Sequence, residues 1–159
     1  MSAAAAYLYF TRDEPSGPTT DLLPRPVRLL AWATCGVAAV VLVLGTVVTG
    51  AGPHSGDATR PSRLALDPRS VSWLHADAVM LFAGLVVAMA VAVRLIDRDD
   101  RLRAAWTGVL HVTIAQAVLG YVQYALAIPA ALVVLHMTLA AVLAVALTRA
   151  FVASRRRRA

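Results

Sequence analysis

The stretch that decides the fold is AAWTGVLHVTIAQAVLGYVQYALAIPAALVVLHMTLAAVLAVALT, residues 104–148, which contains no charged side chain. As one helix its 45 residues, at about 1.5 Å each, would be more than twice as long as the ~30 Å hydrocarbon core of a membrane. The break belongs near Pro129, which lacks an amide hydrogen and disfavours helical geometry at Ile128. The stretch therefore predicts two transmembrane helices, at about 104–126 and 130–151.

Two further apolar runs precede this stretch, Leu29–Thr49 and Val71–Val93, and the second contains only Asp77 as a charged residue. They predict two more helices, at about 29–50 and 71–94. The chain is 59% hydrophobic and only 15% charged, which is too apolar for a soluble domain of 159 residues. We therefore expect an all-α integral membrane protein, a four-transmembrane-helix bundle over residues 27–152.

The positive charges predict the orientation of the bundle. Arginine clusters on the cytoplasmic side of short loops, and twelve of the fifteen arginines fit a topology with both termini in the cytoplasm. Residues 1–26 then form a cytoplasmic N-terminal segment and linker, and residues 153–159 a basic cytoplasmic tail. A topogenic role explains the +6 net charge without nucleic acid, although a tail that binds RNA or lipid is the alternative.

Histidines within the membrane are functional candidates, because ionisable groups are costly there. His75 lies about four residues below the predicted start of the second helix, and His136 about six below the start of the fourth. Both helices run from the outside inward, so the two imidazoles are expected at nearly one depth. Such a pair can approach the two faces of a planar heme, each giving one ring nitrogen to iron.

His111 lies deeper and cannot share that iron. We expect it to hydrogen-bond to a neighbour such as Thr107, with a second cofactor site as the less favoured alternative.

Polar and small residues at helical spacing form a stripe on the third helix, which either lines a porphyrin edge or joins helices. The stripe consists of Thr113, Gln116, Gly120, Gln123 and Tyr124.

Three arginines fall on the outer side against the general bias: Arg60, Arg63 and Arg69. Arginine pairs with carboxylates through two hydrogen bonds, so these side chains are candidates to clamp heme propionates, with simple solvation as the alternative. In the same loop, His54 and Asp57 are expected to be loop residues.

Several segments resemble heme A synthase, especially the actinobacterial type: LGTVVTGAGPHSGD at 44–57, LHADAV around His75, AQAVLGYVQY at 115–124 and LHM around His136. The resemblance covers the chain from about Arg25 onward. Typical bacterial members have eight helices in two similar halves, and this chain resembles the carboxy-terminal half.

The resemblance implies an integral protein of the bacterial cell membrane that serves cytochrome oxidase assembly. The family oxidises a methyl group of heme O, its substrate, to the formyl group of heme A. Its carboxy-terminal half holds a heme b on two histidines, which correspond to His75 and His136. Implied partners are a second copy or a separate amino-terminal half, and assembly factors that include heme O synthase.

The family's catalytic Glu-x-x-His-Arg motif has no counterpart here, because Ser72 and Ala76 stand where its Glu and Arg would be. The expected function is therefore the bis-histidine heme b half of a heme A synthase-like oxidoreductase. The alternatives are a non-enzymatic cytochrome b-like electron-transfer module and a heme-free structural protein. Gln116 and Gln123 join the two histidines and the three arginines as expected cofactor contacts.

Overall fold

The computed structural model describes residues 3–52, 64–96 and 99–158 and confirms the all-α four-helix membrane fold. Four helices are long and apolar enough to cross a membrane: α2 (Arg25–Ala51), α3 (Pro68–Ile96), α4 (Asp100–Ala125) and α5 (Ala130–Ala153). A short helix, α1 (Ala3–Thr11), precedes them, and two three-residue strands flank them, β1 (Thr19–Asp21) and β2 (Arg155–Arg157).

The membrane helices begin and end at local signals. Pro26 lies in the first turn of α2, where its fixed backbone angle suits a helix start. Asp99 caps α4 by accepting a hydrogen bond from the Arg101 amide. Between α4 and α5, Ala127 and Ile128 adopt positive φ angles of 59° and 61°, and α5 starts directly after Pro129. The predicted break near Pro129 is therefore present.

The four helices are arranged as a square. In chain order, α2 packs beside α3, α3 beside α4, and α4 beside α5, while α2 and α5 touch only slightly. Because α3 and α5 do not pack against each other, they occupy diagonal corners. β1 and β2 lie at one end of the square, called here the terminal end; α2 and α4 end, and α3 and α5 begin, at the opposite end, called the loop end. That the terminal end faces the cytoplasm stays a prediction.

Fully buried apolar side chains are concentrated between the middle of the bundle and the terminal end. Ala51 in α2 is the exception near the loop end. The others in the membrane helices are Ala31, Ala38, Val41, Phe82, Val86, Met89, Ala90, Val93, Leu102, Ala105, Trp106, Val109, Leu143, Leu147, Ala150, Val152 and Ala153. In lipid, such close packing holds helices together by van der Waals contact. The half near the loop end has no comparable apolar core among the described residues.

The hairpins α2–α3 and α4–α5 repeat one layout. In α3, Phe82, Val86 and Met89 are buried 7, 11 and 14 residues after His75. In α5, Leu143, Leu147 and Ala150 are buried at the same offsets from His136. The two hairpins therefore bring their second helices into the bundle with the same rotation and at the same level.

The N-terminal segment and the basic tail fold together. α1 packs against α5, and β1 pairs antiparallel with β2 in the register Thr20 opposite Arg156. The Arg155 guanidinium donates a 2.5 Å hydrogen bond to the Tyr7 hydroxyl. The two ends of the chain thus form one small cap over the terminal end.

Candidate functional site

His75 and His136 face the interior of the bundle from its diagonal corners. Both side chains are half-buried, and both lie seven residues toward the loop end from a buried core residue, Phe82 and Leu143 respectively. Their imidazoles are close enough to interact electrostatically. The two histidines whose depths match in the sequence are therefore brought to one level, on opposite sides of the interior.

Each imidazole packs against a glycine of the preceding helix. A Cβ built at Gly45 would lie 3.4 Å from Cε1 and 3.9 Å from Nδ1 of His75. A Cβ built at Gly120 would lie 3.4 Å from Cε1 and 3.9 Å from Nδ1 of His136. Each glycine thus leaves room for one ring edge to lie against a helix backbone. Neither of these contacts is predicted from the sequence.

The interior between these histidines contains polar atoms without partners. Nδ1 of His75, Nδ1 of His136, Oε1 of Gln116 and Oε1 of Gln123 are all buried and make no hydrogen bond. Buried polar atoms are normally paired, because an unpaired one costs about 1–3 kcal/mol. The two glutamine oxygens, near the loop end, indicate a place where the bundle is incomplete without a polar, or partly polar, occupant.

The residues of the polar stripe of α4 differ in burial. Thr113 is buried and Gln116 and Gln123 are half-buried, whereas Tyr124 is 64% exposed and lies outside the interior. Gln116 donates a 3.1 Å hydrogen bond from Nε2 to the main-chain carbonyl of His136. This amide therefore joins α4 to α5 at the histidine itself.

The main-chain carbonyl of Val41 in α2 lies beside the His75 ring. Val41 is four residues before Gly45, one helical turn toward the terminal end. A histidine that binds a metal commonly donates its other ring N–H to a main-chain carbonyl, which fixes the tautomer and the ring plane. The surroundings of His75 provide such an acceptor.

Of the three predicted propionate-binding arginines, Arg69 is described. It is exposed in the first turn of α3, six residues before His75. Just before it, Asp67 accepts hydrogen bonds from the Ser70 amide (2.9 Å) and hydroxyl (2.6 Å) and caps the helix. Arg60, Arg63, His54 and Asp57 lie outside the described residues.

His111 lies on the opposite side of α4 from the interior and is exposed. The expected hydrogen bond to Thr107 is not present: among the described residues no hydrogen bond to His111 is found. On a helical wheel His111 points away from the buried residues Leu102, Val109 and Thr113. It does not belong to the site formed by His75 and His136.

The donor set fits a ligand that needs two imidazoles and tolerates a mostly apolar enclosure. Within the described ranges, no group of three His, Cys, Asp or Glu side chains could hold a bare metal ion. Heme needs fewer protein ligands, because its porphyrin supplies the remaining nitrogens to iron. No family model, curated protein or solved structure matches this chain.

Proposed function

We propose that this protein binds one b-type heme in the loop-end half of the bundle, where His75 and His136 would hold its iron. One observation carries the proposal. The two imidazoles point into the interior from diagonally opposite helices, at one level, where the apolar core ends. Cofactor sites in helical bundles are built in this way, from side chains of facing helices.

The polar atoms around the histidines support this occupant. Each Nδ1 edge is turned against a glycine-bearing helix, which leaves Nε2 as the nitrogen for iron. Gln116 holds the α5 backbone at His136, and its own Oε1 lacks a partner. A bound heme would supply reversible one-electron transfer, and this chain's residues would hold it, orient it and exclude water from it.

We further propose that the protein serves heme A synthesis and provides the heme b half of a heme A synthase-like enzyme. The support is the resemblance of the segments around both histidines and around Gly45 and Gly120. The oxidation of heme O to heme A would then need a carboxylate, and none of the described residues places one at the site. Ser72, where the family's Glu would stand, donates its hydroxyl to the Pro68 carbonyl at 2.7 Å.

A second candidate is an electron-transfer subunit with no oxidation chemistry of its own. The position of Asp77 favours this candidate. Its carboxylate is exposed on the other face of α3 from His75, so it does not supply the carboxylate that the oxidation would need. In this case the same heme would pass electrons to a membrane partner.

Absorption spectroscopy of the purified full chain tests the heme site. We expect a low-spin b-type spectrum with one heme per chain. His75→Ala and His136→Ala should each abolish that low-spin signal, whereas His111→Ala, on the outward face of α4, should keep it. A low-spin spectrum in either of the first two variants would overturn the assignment.

Heme extraction separates the two functions. A host that makes heme O but lacks heme A synthase is given this chain, alone and with an amino-terminal half that carries Glu-x-x-His-Arg. Heme A that appears with this chain, and not with its His136→Ala variant, supports the enzyme. A normal heme b spectrum without heme A in either combination supports the electron-transfer subunit.

A further inference from the structure

A cavity of about 210 Å³ opens at the terminal end, far from the histidines. It lies between the N-terminal segment, the start of α4 and the tail after α5. Four arginines line it: Arg101, Arg155, Arg156 and Arg157. The cap formed by β1 and β2 holds the last three there, because Arg155–Arg157 is the strand that pairs with Thr19–Asp21.

The acidic residues of the cavity already have arginine partners. Glu14 lies 3.3 Å from Arg157, and Asp99 lies 3.2 Å from Arg156. Asp13, the third acid in the lining, pairs with Arg12 outside it at 3.0 Å. Two lining arginines, Arg101 and Arg155, have no carboxylate partner among the described residues. The cavity therefore offers positive charge that the described carboxylates do not neutralise.

Arg155 also carries an unused donor. Its NH2 group binds the Tyr7 hydroxyl, but its Nε is buried without a hydrogen-bond partner. Arginine keeps its proton at every accessible pH, so this N–H cannot become an acceptor. An anion with several oxygens is the occupant that pairs with the charges of Arg155 and Arg101 together.

Arg155 separates the cavity from a second, smaller one of about 50 Å³ with an aromatic lining. Trp32 and Phe151 line this second cavity and pack edge to face, with ring centroids 4.8 Å apart. Trp32 is 57% exposed on the membrane surface of α2. Arg155 itself is the second residue after α5 ends at Ala153, which is the level of lipid headgroups.

We propose that the cavity lined by Arg101 and Arg155 binds a phosphate group, and that its source is an anionic membrane lipid. The phosphate lies against Arg101 and Arg155, and the glycerol and upper acyl chains lie along Trp32 and Phe151. This arrangement joins the N-terminal segment, the tail and the lipid at one point. It is independent of any heme at the other end of the bundle.

Native mass spectrometry of the full chain in neutral detergent tests the lipid source. We expect the chain to retain phosphatidylglycerol over phosphatidylcholine with the same acyl chains. Arg101→Gln and Arg155→Gln should each weaken this retention about tenfold, the effect of one lost charge-assisted hydrogen bond. Arg158→Gln removes the same charge from a residue outside the cavity lining and should not change retention.

Two controls separate binding from folding of the cap. Tyr7→Phe removes the hydrogen bond to Arg155 but keeps the charge, so retention of phosphatidylglycerol should persist. Inorganic phosphate that raises the melting temperature in an Arg155-dependent way, without lipid retention, would assign the same site to a soluble phosphate. Equal retention in Arg155→Gln and Arg158→Gln, with no effect of phosphate, overturns the proposal.

Discussion

His136 lies against Gly120 with ring atom Cε1 only 3.4 Å from the point where a side chain would begin. His75 and Gly45 repeat this contact with the same two distances. A methyl group at either glycine would reach ordinary van der Waals contact with the ring, whereas anything larger would occupy the place of the ring itself. The two glycines thus set how far each imidazole can withdraw from the interior.

Gly120→Leu and Gly45→Leu should therefore displace the facing histidine. We expect each to lose the low-spin heme signal, while Gly120→Ala keeps most of it. Gly108→Leu and Gly36→Leu are matched controls on the same helices, because a Cβ there meets nothing within 4 Å. Absorption spectra of the four leucine variants make the comparison. Loss of the signal in the controls as well would contradict this explanation.

The hydrogen bond of Gln116 gives a second prediction. Gln116→Leu removes the bond to the His136 carbonyl but also removes the unpaired buried Oε1, so the two effects offset each other. The free energy of unfolding of the heme-free chain should change by less than about 1 kcal/mol. Gln116→Glu keeps the shape but places a carboxylate in an apolar interior, and should be clearly less stable. Unfolding in mixed detergent compares the variants. A leucine variant as unstable as the glutamate variant would mean that Oε1 has a partner.

The start of α3 should respond to acid. Hydrogen bonds from Ser70 hold the pKa of Asp67 below its usual range, because they favour the ionised carboxylate. A carboxylate with a lowered pKa in the folded state stabilises it at neutral pH, and this contribution is lost as the pH falls below about 4. Protection of the amides of residues 69–72 against hydrogen exchange, taken relative to the intrinsic exchange rate at each pH, should therefore fall in acid. Asp67→Ala should show low protection at every pH, and Ser72→Ala, which leaves the cap intact, should behave like the parent. A parent chain whose protection at these residues does not change between pH 7 and pH 3 would count against the cap.

The membrane helices and the level of the histidines could be predicted from the sequence, because both depend on local spacing. An uncharged run too long for one crossing and a proline fix the α4–α5 hairpin, and residue counts from the helix ends give the depth of His75 and His136. The contact between Gly45 and His75 depends on how two helices rotate against each other, and no local pattern carries that information.

The cap at the terminal end could not be predicted for a different reason. Its two strands, TTD and RRR, have three residues each. They pair although most of the chain lies between them in the sequence. Neither segment has the alternating apolar pattern of a strand, and a run of arginines suggests a free, solvated tail. In the folded chain Arg157 lies beside Glu14 and Arg155 binds Tyr7, contacts between distant residues that no local pattern predicts.

The repeated layout of the two hairpins gives the bundle an approximate two-fold symmetry. Gly45 and Gly120 are 75 residues apart, and so are Arg28 and Arg103; His75 and His136 are 61 apart, and so are Arg94 and Arg155. The glycine contacts and the buried residues repeat at the same offsets, so the two imidazoles are equivalent positions of the two hairpins. A ligand held between them therefore meets nearly the same surface on both of its sides.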